Sequence, residues 1–152
     1  MDIRILEEHE IKNAHTLIIN VFNKCCAGDF SIDCNNCFYE GNSLELFLNG
    51  YRKREFLIWG CFIKGELCGV AQIYKPNHLV NLFIDTKYHN LGIGKTLFRT
   101  VVEYCKNNGV EHLQLEALRS SLLFCKSTGS IATGDTTNFR GLEYTPMTYK
   151  IL

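Results

Sequence analysis

Two glycines one residue apart, Gly92 and Gly94, follow the apolar run Leu82-Phe83-Ile84 and open a segment with helical periodicity. A strand that ends in a glycine-containing loop and leads into an amphipathic helix is a place to bind phosphate. The first helical turn offers unpaired N–H donors and the positive end of the helix dipole, and glycine lets the backbone approach the oxygens. His89, Asn90, Leu91, Gly92, Ile93, Gly94 and Lys95, with Thr96 beside them, are therefore the candidate anion cradle. Two nucleotide-binding motifs compete for this loop and both fail on spacing. A dinucleotide fingerprint requires a third glycine at position 97, which is Leu97. A Walker A loop could end in Gly94-Lys95-Thr96, but it requires glycine where His89 stands.

Further along, Glu116 interrupts an apolar strand, which makes it the first candidate for a general base. The bland alternative is a sheet-face carboxylate with no chemical role. His78 and His89 are reserve proton carriers, although solvated loop histidines are common, and Asp85 is expected to shape the start of the loop. Cys25, Cys26, Cys34 and Cys37 fall close together, and Cys34-Asn35-Asn36-Cys37 has the spacing of half a zinc knuckle. Adjacent Cys25 and Cys26 cannot both chelate in that geometry, so the expectation is thiols and no metal.

The elements that must carry these residues follow from periodicity. Ile3 to Leu6 reads as a strand, and Glu8 to about Cys25 as a helix with Ile11, Ala14, Leu17, Ile18, Val21 and Phe22 on its core face. Cys26 to Asn42 breaks into Gly, Asp, Ser and Asn and is expected to be a long loop, a candidate lid or acceptor-binding segment. Ser43 caps a second helix through Leu48. Phe56 to Ile63 and Leu67 to Tyr74 form a hairpin around Lys64-Gly65-Glu66, which sets Cys61 and Cys68 opposite each other, and His78 to Ile84 adds a third strand. That strand delivers the glycine loop. Its helix carries Leu97, Phe98, Val101, Val102 and Cys105 on one face and stops at Asn107-Asn108-Gly109. Leu113 to Ala117 is a strand, Ser120 or Ser121 caps a short helix to about Thr128, and Leu142 to Leu152 is a last strand. Neither an internal repeat nor a linker appears, so residues 1–152 read as one domain.

Composition narrows the function. Sixteen basic residues balance sixteen acidic ones, so nothing global steers the chain to nucleic acid or an anionic membrane. No apolar run approaches the roughly 20 residues of a membrane span, and the charged, strand-like start, Met1 to Leu6, lacks the apolar core of a signal segment. A cytoplasmic protein with eight reduced thiols is the expectation.

The spacing His89-x-x-Gly92-x-Gly94 between strand and helix resembles the signature of the GNAT (GCN5-related) N-acetyltransferases, in which Gln or Arg takes the place of His89. Leu82-Phe83-Ile84-Asp85 with Tyr88, then Leu115-Glu116, Leu123-Phe124-Cys125, Gly129, and the closing Gly141 to Met147 resemble further parts of that family, so the likeness spans about the last 75 residues. It implies an α/β fold with a mixed, mostly antiparallel central sheet flanked by about four helices. It also implies acetyl-CoA as cosubstrate, with Leu82, Phe83 and Ile84 holding the pantetheine arm, residues 89–96 and Phe124 completing the cofactor site, and a small-molecule or peptide amine attacking the thioester directly. Monomer and homodimer both fit. The family's usual acid, a Tyr on the short helix, is replaced by Cys125, and the usual Phe after Gly129 is Ser130. Cys125 becomes the candidate acid, its thiolate favoured by the helix start. These departures also motivate a rival: an acyl-CoA-binding or sensor module whose chemistry is impaired.

Overall fold

The computed structural model describes residues 1–139 and 141–151. Strand β1 (Asp2–Ile5) precedes a 3-10 turn at Glu8–Glu10 and helices α1 (Ile11–Cys25), α2 (Ile32–Gly41) and α3 (Leu44–Arg52). A meander follows: β2 (Phe56–Ile63), β3 (Glu66–Tyr74) and β4 (His78–Ile84). After it come α4 (Ile93–Asn107), β5 (His112–Leu118), α5 (Leu122–Ser127), β6 (Ile131–Ala132), β7 (Thr137–Phe139) and β8 (Leu142–Lys150). All eight strands join one sheet in the order β1-β2-β3-β4-β5-β8-β6, with β7 also on β8. Among the described residues only the β4–β5 pairing is parallel. The mixed, mostly antiparallel sheet flanked by helices is the architecture expected from the sequence.

Each face of the sheet has its own core. On one, α4 buries Ile93, Leu97, Phe98, Val101 and Cys105 against Ala71, Ile73, Leu79, Leu113, Leu115 and Ala117. On the other, α1 buries Ile11, Ala14, Ile18 and Val21 against Leu6, Ile58 and Val70, and α3 adds Phe47. These are the apolar stripes read from helical spacing, and each fully buried Ile, Leu or Phe contributes roughly 1.5–3 kcal/mol. Among the described residues no helix is long and apolar enough to cross a membrane.

The segment expected to be a long loop instead holds α2. Its periodicity is weak because it buries only Cys34 fully and leaves Ile32 79% exposed. The helix nevertheless starts at a recognisable cap: Ser31 Oγ accepts from Cys34 N–H at 3.2 Å. Ser43 caps α3 as expected, accepting from Leu46 N–H, whereas Ser121 stands at the start of α5 without a capping bond. The short strands β6 and β7 had no sequence signal beyond two or three residues each. Cys61 and Cys68 are both buried but not directly opposed: a register shift pairs Cys61 with Gly69, and Cys68 Sγ donates to Cys61 O at 3.2 Å. Leu152, the expected end of the last strand, lies outside the described residues.

Candidate functional site at the β4–β5 gap

β4 and β5 pair only at His78↔Gln114 and Leu79↔Leu115, although β4 runs on to Ile84 and β5 to Leu118. Beyond Leu79 the two strands part, while β4 stays paired to β3 as far as Gly69↔Ile84. On the β3 side, Asp85 N–H donates to Cys68 O at 2.8 Å. On the other side, Ile84 O accepts from His89 Nε2–H at 2.7 Å. Backbone groups alternate sides along a strand, so Leu82 and Ile84 turn their N–H and C=O groups toward the gap. Phe83, grouped with them from sequence, turns its backbone to β3 and its ring toward α2, where it meets Phe38 edge-on at 6.4 Å.

The glycine loop closes one end of this gap. Asp85 Oδ1 accepts from Lys87 N–H and starts a 3-10 turn over Thr86–Tyr88, the shaping role expected of it. Asn90 and Gly92 then take left-handed backbone conformations, φ 64° and 80°, and Gly92 caps α4. Gly92 O accepts from Thr96 N–H and Thr96 Oγ1–H, at 3.1 and 2.9 Å. The N–H groups of Ile93, Gly94 and Lys95 precede the first intrahelical bond and have no partner within the helix. Gly94 is closely packed: a Cβ there would sit 3.2 Å from the Phe124 ring of α5. Phe124 therefore lies directly against the first turn of α4, while Leu91 is exposed at the loop tip. The residues predicted for the anion cradle thus gather at one place, at the end of β4.

Glu116 lies where the strands separate. It is the first residue of β5 past the last paired position on the face of Gln114, and its Oε2 is 2.5 Å from His78 Nε2. The hydrogen bond to Glu116 raises the His78 pKa, burial opposes it, and the carboxylate's charge adds to the rise. Sequence reasoning named both residues but did not join them, because 38 positions separate them.

Cys125 is elsewhere in character. It is buried in the α4-side core, and burial pushes its thiol up to about 11 despite a hydrogen bond with Ser121 that lowers it. The expected thiolate-favouring effect of the helix start is therefore overridden by desolvation. Ser130 is buried too and shares a 2.9 Å hydroxyl contact with Thr128.

Helix α2 bridges the gap on the α1 face. At its C-terminal end, Asn81 of β4 donates to Asn42 Oδ1 at 3.1 Å and to Gln72 Oε1 at 2.7 Å, and His15 Nε2–H donates to Asn42 O. Near its N-terminal end, Cys34 lies against Gly141, where an added Cβ would be 3.3 Å from Cys34 Cβ. Cys26 Sγ contacts Ser120 Oγ at 3.3 Å. Among the described residues no three cysteines bring their sulfurs within common reach of a metal ion; the side chains that could are those of Glu7, His9 and Glu10, the first two exposed. An open hollow lined by Asn13, Asn20, Lys24, Glu66 and Asp85 lies on the hairpin side of α1 and contains none of the predicted site residues.

Comparison with known proteins agrees with this geometry. The family described as the acetyltransferase (GNAT) domain matches residues 26–151. No curated protein sequence matches the chain significantly. Among solved structures, the chain is similar to a GCN5-related N-acetyltransferase from Rhodopseudomonas palustris, at 18% identity and a TM-score of 0.85, covering 98% of this chain and 94% of that one. It is also similar to the paia N-acetyltransferase from Thermoplasma acidophilum in complex with coenzyme A, at 21% identity and a TM-score of 0.79 over 99% of both chains. The yncA structure from Salmonella typhimurium, with its cofactor acetyl-CoA, matches at 14% identity and a TM-score of 0.70, covering 99% of this chain and 94% of that one. With the family matched over most of its length and the parted strands, glycine loop and sheet order in place, the chain belongs to the GNAT acetyltransferase family.

Proposed function

We propose that the protein transfers the acetyl group of acetyl-CoA to a primary amine by direct attack within a ternary complex. The observation that carries this reading is the β4–β5 gap, where the N–H and C=O of Leu82 and the N–H of Ile84 have no partner on β5 beside the first turn of α4, the Ile84 C=O being held by His89. A pantetheine arm carries amides that pair with such groups as a strand would, and a pyrophosphate is the anion that unpaired N–H donors and a helix N-terminus favour. A thioester carbonyl held near Leu82 N–H would have a fixed donor aimed at the charge that develops on its oxygen during attack. Donors of that kind are worth about 2.7–4 kcal/mol of barrier. The Phe124 ring, packed on Gly94, walls the same end of the gap.

The acceptor approaches from the other side of the sheet, between α2 and β5. This follows because α4 and its core fill the opposite face. It arrives as an ammonium ion and must lose a proton, and the Glu116–His78 pair at the parting point is placed to take it. The leaving thiolate needs a proton in turn. Cys125, at about 11, holds its proton more tightly than an ordinary thiol near 8.5, which supports the attacking nitrogen, not Cys125, as the proton's source.

The second reading, an acyl-CoA-binding module with impaired chemistry, is favoured by one observation: the position of the usual acid is a buried, protonated thiol. The experiment that separates the two measures CoA thiol release from acetyl-CoA against a panel of polyamines, amino acids, aminoglycosides and peptide N-termini, with CoA binding measured in parallel by calorimetry. Turnover of any amine supports the transferase; CoA binding without turnover across the panel supports the sensor; neither binding nor turnover removes both.

A further inference from the structure

His78 and Glu116 meet at the last point where β4 and β5 are paired, and their closest atoms are 2.5 Å apart. At that separation a proton must lie between Nε2 and Oε2, because two facing lone pairs would repel. The ring therefore donates from Nε2 when neutral, which leaves Nδ1 with a lone pair and without a hydrogen-bond partner among the described residues. The two side chains are 37% and 40% exposed, so water reaches them. We propose that His78, through Nδ1, is the base that takes the acceptor's proton, and that Glu116 is the carboxylate that orients the ring. This inference rests on the acetyltransferase reading above and assigns the roles within its pair.

The chemistry favours this order. Carboxylates titrate near 4.3 and imidazoles near 6.5 in water, and a general base works best with a pKa near the operating pH. The Glu116 hydrogen bond moves His78 further in that direction. Few other groups bear on the pair. On the same face, Tyr74 of β3 stands opposite His78, Gln114 precedes Glu116 on β5, and Pro146 and Thr148 of β8 stand opposite Glu116 and Gln114. Of these only Tyr74 titrates, and burial raises its pKa, so it stays neutral in the working range. The next charged groups along this face are His112 and its β8 partner Lys150.

The step balances without any further reagent. The ammonium's N–H bond breaks as Nδ1–H forms, directly or through one water, and Glu116 holds the resulting imidazolium. The free amine attacks the thioester carbon, a C–N bond forms and the C–S bond breaks. The surplus proton on the attacking nitrogen passes to the departing sulfur, and the imidazolium returns its Nδ1 proton to bulk water.

Two measurements test it. In a nitrogen-resolved NMR titration of the protein without substrate, the His78 ring, identified among five histidines by its loss in His78→Gln, should show a proton on Nε2, a bare Nδ1, and a midpoint above about 6.5. That midpoint should fall in Glu116→Gln. In the kcat/KM–pH profile, His78→Gln, whose amide can still donate to Glu116, should lose about 10²- to 10⁴-fold. Glu116→Gln should lose less, about tenfold, with its acidic limb shifted to lower pH. A ring protonated on Nδ1, a midpoint that ignores Glu116→Gln, or a Glu116→Gln loss equal to or larger than that of His78→Gln overturns the assignment and leaves acetyl transfer standing. Wild-type protein that binds CoA and acetylates no amine, even with the NMR signature present, overturns both.

Discussion

Single residues at the gap differ in what they tolerate. Gly92 sits at φ 80° with open space where a Cβ would go, so Gly92→Ala meets backbone strain of about 1 kcal/mol and should raise KM for acetyl-CoA several-fold with little change in Tm. Gly94→Ala has a different cause: the new methyl meets the Phe124 ring at 3.2 Å, so the ring must give by a few tenths of an ångström. Steady-state kinetics with the amine held saturating would resolve both. Cys125→Ala should keep kcat within about threefold, because a thiol near 11 is a poor donor; a hundredfold loss would restore it as the acid. The loop residues were legible in sequence because glycine spacing encodes backbone shape. The His78–Glu116 contact was not, because strand register, which brings positions 78 and 116 together, depends on how the whole sheet folds.

Among the helices, α2 is the one that sequence reading passed over, and on the proposed reading it frames the acceptor side. Its residues read as loop because Asn, Cys and Gly are weak helix formers and only one side chain is fully buried; tertiary contact decides the outcome. Phe38 stacks on Phe22 of α1 at 3.7 Å, and Asn42 is tied to Asn81 and His15. The Ser31 cap was the local signal available. By contrast, α1, α3, α4 and the meander were legible because each has a clear apolar period. Asn81→Ala leaves Gln72 Oε1 without its buried donor, which costs about 2 kcal/mol. With α2 held at that end by His15 alone, KM for the amine should rise more than KM for acetyl-CoA, and a comparison of the two constants checks it. An equal rise in both would mean that α2 does not border the acceptor.

At the scale of the molecule, an ion pair at the far edge contributes to acid stability. Arg4 binds both oxygens of mostly buried Glu10 at 2.7 Å, and chiefly this bond lowers Glu10 to about 2. Because the folded pKa lies below the unfolded value near 4.3, the pair's contribution is complete above that value and is lost as pH falls through about 2. Glu10→Gln should therefore lower unfolding stability by about 2 kcal/mol at neutral pH, and the difference from wild type should shrink as urea titrations move from pH 5 toward pH 2. The sheet itself is the larger matter. Its two halves, β1 to β4 and β5 to β8, are joined through the backbone by two residue pairs alone. On the proposed reading, a ligand that pairs with the N–H and C=O of Leu82 and the N–H of Ile84 acts as a missing strand, so acetyl-CoA would also be a part of the fold. Occupancy then sets rigidity: CoA at a hundred times its Kd should add about 2.7 kcal/mol of stability and slow amide exchange at Leu82 and Ile84. On that reading, each release of product unfastens the molecule along that same seam.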